Sequence, residues 1–167
     1  MNLFNDTFLS SANQYPNNIA LVTTEHGQVL KFTYQKLLRI STLWSQYLNR
    51  LNPTKAPIAI YGRKKWQMYG AILASLQSKA AYVPLNNKQA VAKNMAILQQ
   101  ILCSVLLVAE GANPCDLLVM NDDKLTVIYL GQDNPQWLHT LRNSMLHDVI
   151  WVDDIDQSIE LFTIDRQ

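Results

Sequence analysis

Residues 56–86 read APIAIYGRKKWQMYGAILASLQSKAAYVPLN, and the order of patterns within them decides the fold. Ile58 to Tyr61 is a short apolar run opened by Pro57 and closed by Gly62. Trp66, Tyr69, Leu73 and Leu76, with Ile72 beside them, recur at helical spacing. Ala81 to Leu85 is apolar and extended again, with Pro84 near its far end. Two buried strands joined by an amphipathic helix predict a βαβ unit, which implies a parallel sheet with right-handed crossovers.

On the N-terminal side, Leu3, Phe4, Phe8, Leu9 and Ala12 share one side of a short helix that Pro16 stops. Ile19 to Thr23 and Val29 to Phe32 read as a β-hairpin around Glu25-His26-Gly27-Gln28, where Gly27 supplies a positive φ. Thr33 is a natural N-cap for a helix with Leu37, Ile40, Trp44, Tyr47, Leu48 and Leu51 as its buried stripe, ended by Asn52-Pro53.

On the C-terminal side, Asn86 or Asn87 is expected to cap a helix carrying Val91, Met95, Leu98 and Leu102 on one face. Ser104 to Ala109 (SVLLVA) follows as a buried strand. Beyond Pro114, Leu117–Met120 and Leu125–Leu130 read as β segments around the turn Asn121-Asp122-Asp123. A short helix over Pro135–Met145 and a strand at Val149–Val152 complete the pattern. The fold class is therefore α/β: an open, largely parallel sheet flanked by helices, with an N-terminal β-hairpin. Residues 1–167 are expected to form a single domain, with 112–167 a divergent C-terminal segment of it.

Fourteen basic residues against thirteen acidic ones give a net charge of +1, which supplies no electrostatic footprint for nucleic acid or an anionic membrane. No apolar run approaches the roughly 20 residues that span a bilayer. The first residues lack a basic region followed by an apolar one, so the expected place is the cytoplasm. Two cysteines, Cys103 and Cys115, are too few for a disulfide framework.

The one loop with a chemical signal is Gly62-Arg63-Lys64-Lys65, between a strand and a helix N-terminus. Free N–H groups and the helix dipole favour anions there, and the three cations add to the attraction. Arg63, Lys64 and Lys65 are thus weak anion-site candidates, set against a solvated basic turn, since neither GxxxxGK[ST] nor GxGxxG is present. His26, His139 and His147 have no zinc-site spacing, and Asp153, Asp154 and Asp156 read as a solvated acidic loop. No residue is assigned as catalytic or as a metal ligand.

The order of pieces carries more. LFNDTFLSSANQYPNNIALV, then FTYQKL at Phe32–Leu37, then LQSKAAYVPLN at Leu76–Asn86 resemble the start of adenylate-forming (AMP-binding) ligases. The resemblance is closest to the adenylation domains of non-ribosomal peptide synthetases and to D-alanine–carrier protein ligases. Thr33-Tyr34-x-x-Leu37 matches the first core motif of that family and Ala81-Tyr82-Val83-Pro84-Leu85 its second. The resemblance covers about Leu3 to Ala109, and Val149–Asp154 resembles the strand before the third motif. It implies the N-terminal lobe of an adenylation-type domain. Complete family enzymes use ATP and Mg to activate an amino acid or other carboxylic acid, then pass the acyl group to a carrier-protein phosphopantetheine thiol.

The third motif, a Thr/Ser/Gly-rich phosphate loop followed by lysine, does not occur in this sequence. The resemblance thus implies a fragment or diverged remnant that is not catalytically competent alone, with no cofactor of its own. Partners would be the catalytic remainder of an adenylation enzyme, a synthetase or a carrier protein, and a homo-oligomer is also allowed. The alternative is a non-catalytic scaffold or regulatory module for a synthetase or carrier protein, which predicts an exposed apolar patch.

Several positions depart from the family pattern. Lys36 replaces a Glu that would complete a capping box with Thr33. Lys79 replaces a Gly at the second helix end, which predicts a differently built terminus because a left-handed non-Gly residue costs about 1 kcal/mol. Asn86-Asn87 stand for Asp-Pro, and Ala90 and Lys93 for a further Pro and Arg. No family counterpart is legible from Cys115 to Arg142.

Overall fold

The structure is a computed structural model and describes residues 3–155. Helix α1 (Leu3–Gln14) leads into the hairpin β1 (Ile19–Glu25) and β2 (Gln28–Thr33). Then follow α2 (Tyr34–Leu51), β3 (Ile58–Gly62), α3 (Trp66–Gln77), β4 (Tyr82–Asn86), α4 (Val91–Ile101) and β5 (Val105–Val108). Among the described residues α5 (Cys115–Val119), β6 (Thr126–Tyr129), α6 (Gln136–Ser144) and β7 (Asp148–Trp151) come last. The hairpin forms its own two-stranded sheet. The other five strands lie in the order β4-β3-β5-β6-β7, every neighbouring pair parallel. The expected hairpin turn is present: His26 (φ 50°) and Gly27 (φ 75°) both take the positive φ that a two-residue hairpin needs.

Strand residues alternate between two buried faces, as a parallel sheet requires. Ala59, Tyr61, Leu106, Val108, Val127 and Tyr129 pack under α4, α5 and α6. Ile58, Ile60, Val105, Leu107, Ile128 and Leu130 pack under α2 and α3. Among the described residues no helix is long and apolar enough to cross a membrane.

Several local readings are corrected. Leu117–Met120 is not a strand: Leu117–Val119 lie in α5 and Met120 is its C-cap. A short apolar run is ambiguous between strand and buried helix, and here Asn113 Oδ1 accepts from Cys115 N at 3.0 Å while Asp116 sits in the first turn. An acid there complements the helix dipole, and Leu117 and Leu118 both enter the core.

Helix α4 begins after Ala90 with no side-chain cap. Asn86 Oδ1 instead accepts from Lys88 N at 2.9 Å, a local Asx turn, and the Asn86 carbonyl accepts from Asn94 Nδ2 at 2.8 Å. Leu102 leaves the predicted buried face: it caps α4 at φ 50° and is 78% exposed. On α3, Leu73 is buried as expected but Tyr69 faces out, and the buried side runs also through Gln67, Met68, Gly70, Ala71 and Ala74. Small residues let this helix sit close to α2; a Cβ on Gly70 would lie 2.8 Å from Trp44 Cζ3.

The end of α3 is not rebuilt as Lys79 had suggested. Lys79 N donates to Leu76 O and Ala80 N to Ser75 O, both at 3.0 Å. Lys79 itself sits at φ 64°, so the Schellman closure persists with lysine in the glycine position. Lys79→Gly is therefore expected to stabilise the protein by about 1 kcal/mol, read as a raised urea midpoint at unchanged slope. At the start of α2, Thr33 Oγ1 accepts from Lys36 N at 3.1 Å, so half of the capping box is kept. The Lys36 ammonium lies 4.8 Å from the Phe32 ring centre, a cation–π contact in place of the missing reciprocal bond.

Cys103 and Cys115 are free. Burial pushes the Cys103 thiol up to about 11 from an ordinary 9.0, and backbone hydrogen bonds at Cys103 and Ala59 offset only part of this. The unfolded thiol ionises first, so stability is full below pH 9 and falls as pH rises toward 11. Denaturant midpoints measured across that range should decline in the wild type and decline less in Cys103→Ala.

Candidate functional site

In this strand order the chain runs outward from β3 to β4, then crosses back to β5 on the other side of β3. The switch point thus lies between β3 and β5, and open α/β sheets bind ligands at the carboxyl ends of such strands. Two loops meet there, 62–65 and 109–114. Gly62 has φ 150°, and a Cβ on it would stand 2.7 Å from Ala109 Cβ, so only glycine lets the loops touch.

The three candidate cations are not brought together equally. Arg63 and Lys64 are exposed and Lys65 is half-buried. Lys65 Nζ lies 3.6 Å from where a Cβ on Gly111 (φ 78°) would stand, so it leans over the second loop. The first N–H of α3 is already bonded: Trp66 N donates to Glu25 Oε1 at 3.2 Å, so the hairpin supplies a carboxylate to this helix end. Gln67, fully buried, donates from Nε2 to Glu110 Oε2 at 2.9 Å, while its Oε1 finds no partner within the described residues. Tyr129, at the end of β6, donates to Asp133. Burial first, then Asp133 and the Glu110 charge, push its phenol above the ordinary value, and the Gly111 N–H opposes them.

Glu25, Gln67, Glu110, Tyr129 and Asp133 carry no local sequence signal. Glu25 reads as a turn residue, and it reaches Trp66 across 41 positions only because the hairpin folds back. Glu110 could have been suspected from its place after a buried strand at the switch point. His147 is structural: buried beneath the chain, its Nδ1 accepts from Leu125 N at 3.1 Å. Asp154 is held by Arg142 at 2.6 Å, and Asp156 lies outside the described residues. Among the described residues no group of three His, Cys, Asp or Glu side chains could hold a metal ion.

A hollow lies away from the switch point. A groove of about 720 Å³ runs between the hairpin, α2 and the ends of β6 and β7, with Leu30, Phe32, Leu43, Trp44, Trp66 and Val152 in its walls. Its floor is a stack of rings: Phe32 on Trp66 at 5.1 Å between centres, and Trp66 on Trp44 at 5.9 Å. Lys36, Arg39 and Asp153 also line the groove.

The sequence matches the family of AMP-binding enzymes over residues 8–156. The chain belongs to that family. The match runs through Cys115–Arg142, where no residue-level likeness is legible, and the parallel sheet continues through the same region. No curated protein matches the chain. Among solved structures, the Vibrio cholerae adenylation domain AlmE, in complex with glycyl-adenosine-5′-phosphate, is similar with a TM-score of 0.71 at 19% identity. That likeness covers 90% of this chain and 27% of AlmE. IdnL7 gives 0.65 at 22% identity over 78% of this chain and 25% of its own. The non-ribosomal peptide synthetase FmoA3, bound to α-methyl-L-serine-AMP, gives 0.58 at 20% over 65% and 12%. At these identities the likeness shows the fold, and this AMP-binding family chain spans about a quarter or less of each relative's length.

Proposed function

We propose that this chain is the N-terminal part of an adenylate-forming ligase and does not activate an acid by itself. The complete enzyme would use ATP and Mg to convert an amino acid or other carboxylic acid to its adenylate, then pass it to a carrier-protein thiol. The observation that carries this reading is the family match over 8–156 in a chain that covers only 27% of a solved adenylation domain. The cytoplasm is the compartment where such chemistry finds ATP. Titration calorimetry with ATP and Mg tests the reading: no saturable heat is expected. One-to-one saturable binding would contradict it, and loss of that binding in Lys64→Ala or Lys65→Ala would place an anion site in the 63–65 loop.

A second reading, a scaffold or regulatory module for a synthetase or carrier protein, is favoured by the open groove over Phe32, Trp66 and Trp44. Such apolar surfaces rimmed by charge mark interaction sites. Specific binding to a carrier protein by the isolated chain, without exchange activity, would select it.

A further inference from the structure

An isolated two-stranded hairpin is marginal in water, and its outer edges present unpaired N–H and C=O groups that recruit other strands. The β1–β2 hairpin has this form: among the described residues its strands make backbone bonds only with each other. Among the described residues four strand edges are open, and three are guarded. β4 contains Pro84, β7 is four residues long and opens with Asp148, which pairs with Lys124 at 3.0 Å, and β2 carries the exposed Lys31. Proline, short length and charge are the usual edge protections.

β1 has none of these along Leu21–Glu25, and its one irregularity is a register shift against β2 at its start, between Ile19 and Leu21. Ile19–Glu25 (IALVTTE) runs seven residues with no proline or lysine. Its one charge, Glu25, is engaged with Trp66 N. Val22 is 56% exposed at the middle of the strand, and Ile19 is 48% exposed. A net charge of +1 offers little repulsion between copies.

We propose that the β1 edge pairs antiparallel with β1 of a second copy, joining two hairpins into one four-stranded sheet across a two-fold axis. Centring the axis on Val22 sets Val22 against its own mate and Leu21 against Thr23, within the part of β1 that keeps a regular register. No like charges then face each other, and two β-branched side chains meet at the axis, a favourable cross-strand pair. The contact is isologous and closes at two copies.

Sedimentation velocity on the full 167-residue chain across the micromolar range tests this, with circular dichroism as the fold control. The expected result is a concentration-dependent dimer. Val22→Glu should weaken it by about tenfold or more in dissociation constant, equal to about 1.4 kcal/mol. Within the hairpin the new carboxylate lies opposite Lys31, so the fold is supported. Val29→Glu, on the same face but on β2, should leave dimerisation unchanged. Mixing Val22→Glu with Val22→Lys/Lys31→Glu should restore association, because opposite charges then meet at the axis. A monomer at every concentration would overturn the proposal, as would equal weakening by Val22→Glu and Val29→Glu.

Discussion

Trp44→Ala is expected to destabilise the protein by about 3–5 kcal/mol, the range for removing a large buried aromatic side chain. Trp44 is only 5% exposed, stacks on Trp66 and lies against Gly70. It therefore joins α2 to α3 and both to the second sheet face. For a chain of this size each kcal/mol shifts the melting temperature by about 2–4 °C, so a fall of about 6–20 °C should appear by thermal melting. The same substitution removes the groove floor, so the environment of Trp66 should change and its fluorescence shift to the red. A loss under about 1 kcal/mol would show that α2 and α3 do not depend on this contact.

Gly62→Ala is expected to cost about 2–4 kcal/mol through two separable terms, a strained backbone and an overpacked contact. Gly62 has φ 150°, and its added Cβ would stand 2.7 Å from Ala109 Cβ. Adding Ala109→Gly to the same chain should recover the packing part and leave the backbone part. The resulting coupling, on the order of 1 kcal/mol, is measurable by urea denaturation of the single and double variants. Additive effects would mean that the two loops at the switch point do not touch in solution.

The elements legible in the sequence were those whose patterns are repeated and local. The stretch 56–86 has two apolar runs, a helical period and closing glycine and proline residues, and it folds as β3, α3 and β4. The hairpin turn was legible because Gly27 answers a backbone requirement. Leu117–Met120 reads as a strand because four apolar residues fit a strand and a buried helix turn equally well, and neighbouring Asn113 and Asp116 decide the outcome. The buried side of α3 was misjudged for a related reason. Periodicity weighs large residues, whereas Gly70, Ala71 and Ala74 are buried by virtue of being small. Lys79 shows the reverse case, where a conformational penalty is tolerated because the surrounding helix end imposes the geometry.

The candidate site was less legible than the fold. The basic loop could be named from its place between strand and helix. The residues that shape its surroundings come from distant segments: Glu25 from the hairpin, Glu110 from after β5 and Tyr129 from β6. Only the strand order brings them to one end of the sheet. That arrangement sets the carboxylates of Glu25 and Glu110, and of Asp133 through Tyr129, at the same end of the sheet as the basic loop.

ATP–pyrophosphate exchange by the purified chain, assayed against a full panel of amino acids with Mg, distinguishes a part that cannot adenylate from a self-sufficient ligase. Exchange indistinguishable from the blank is expected for every acid. Robust exchange with any one of them would show that this chain adenylates by itself.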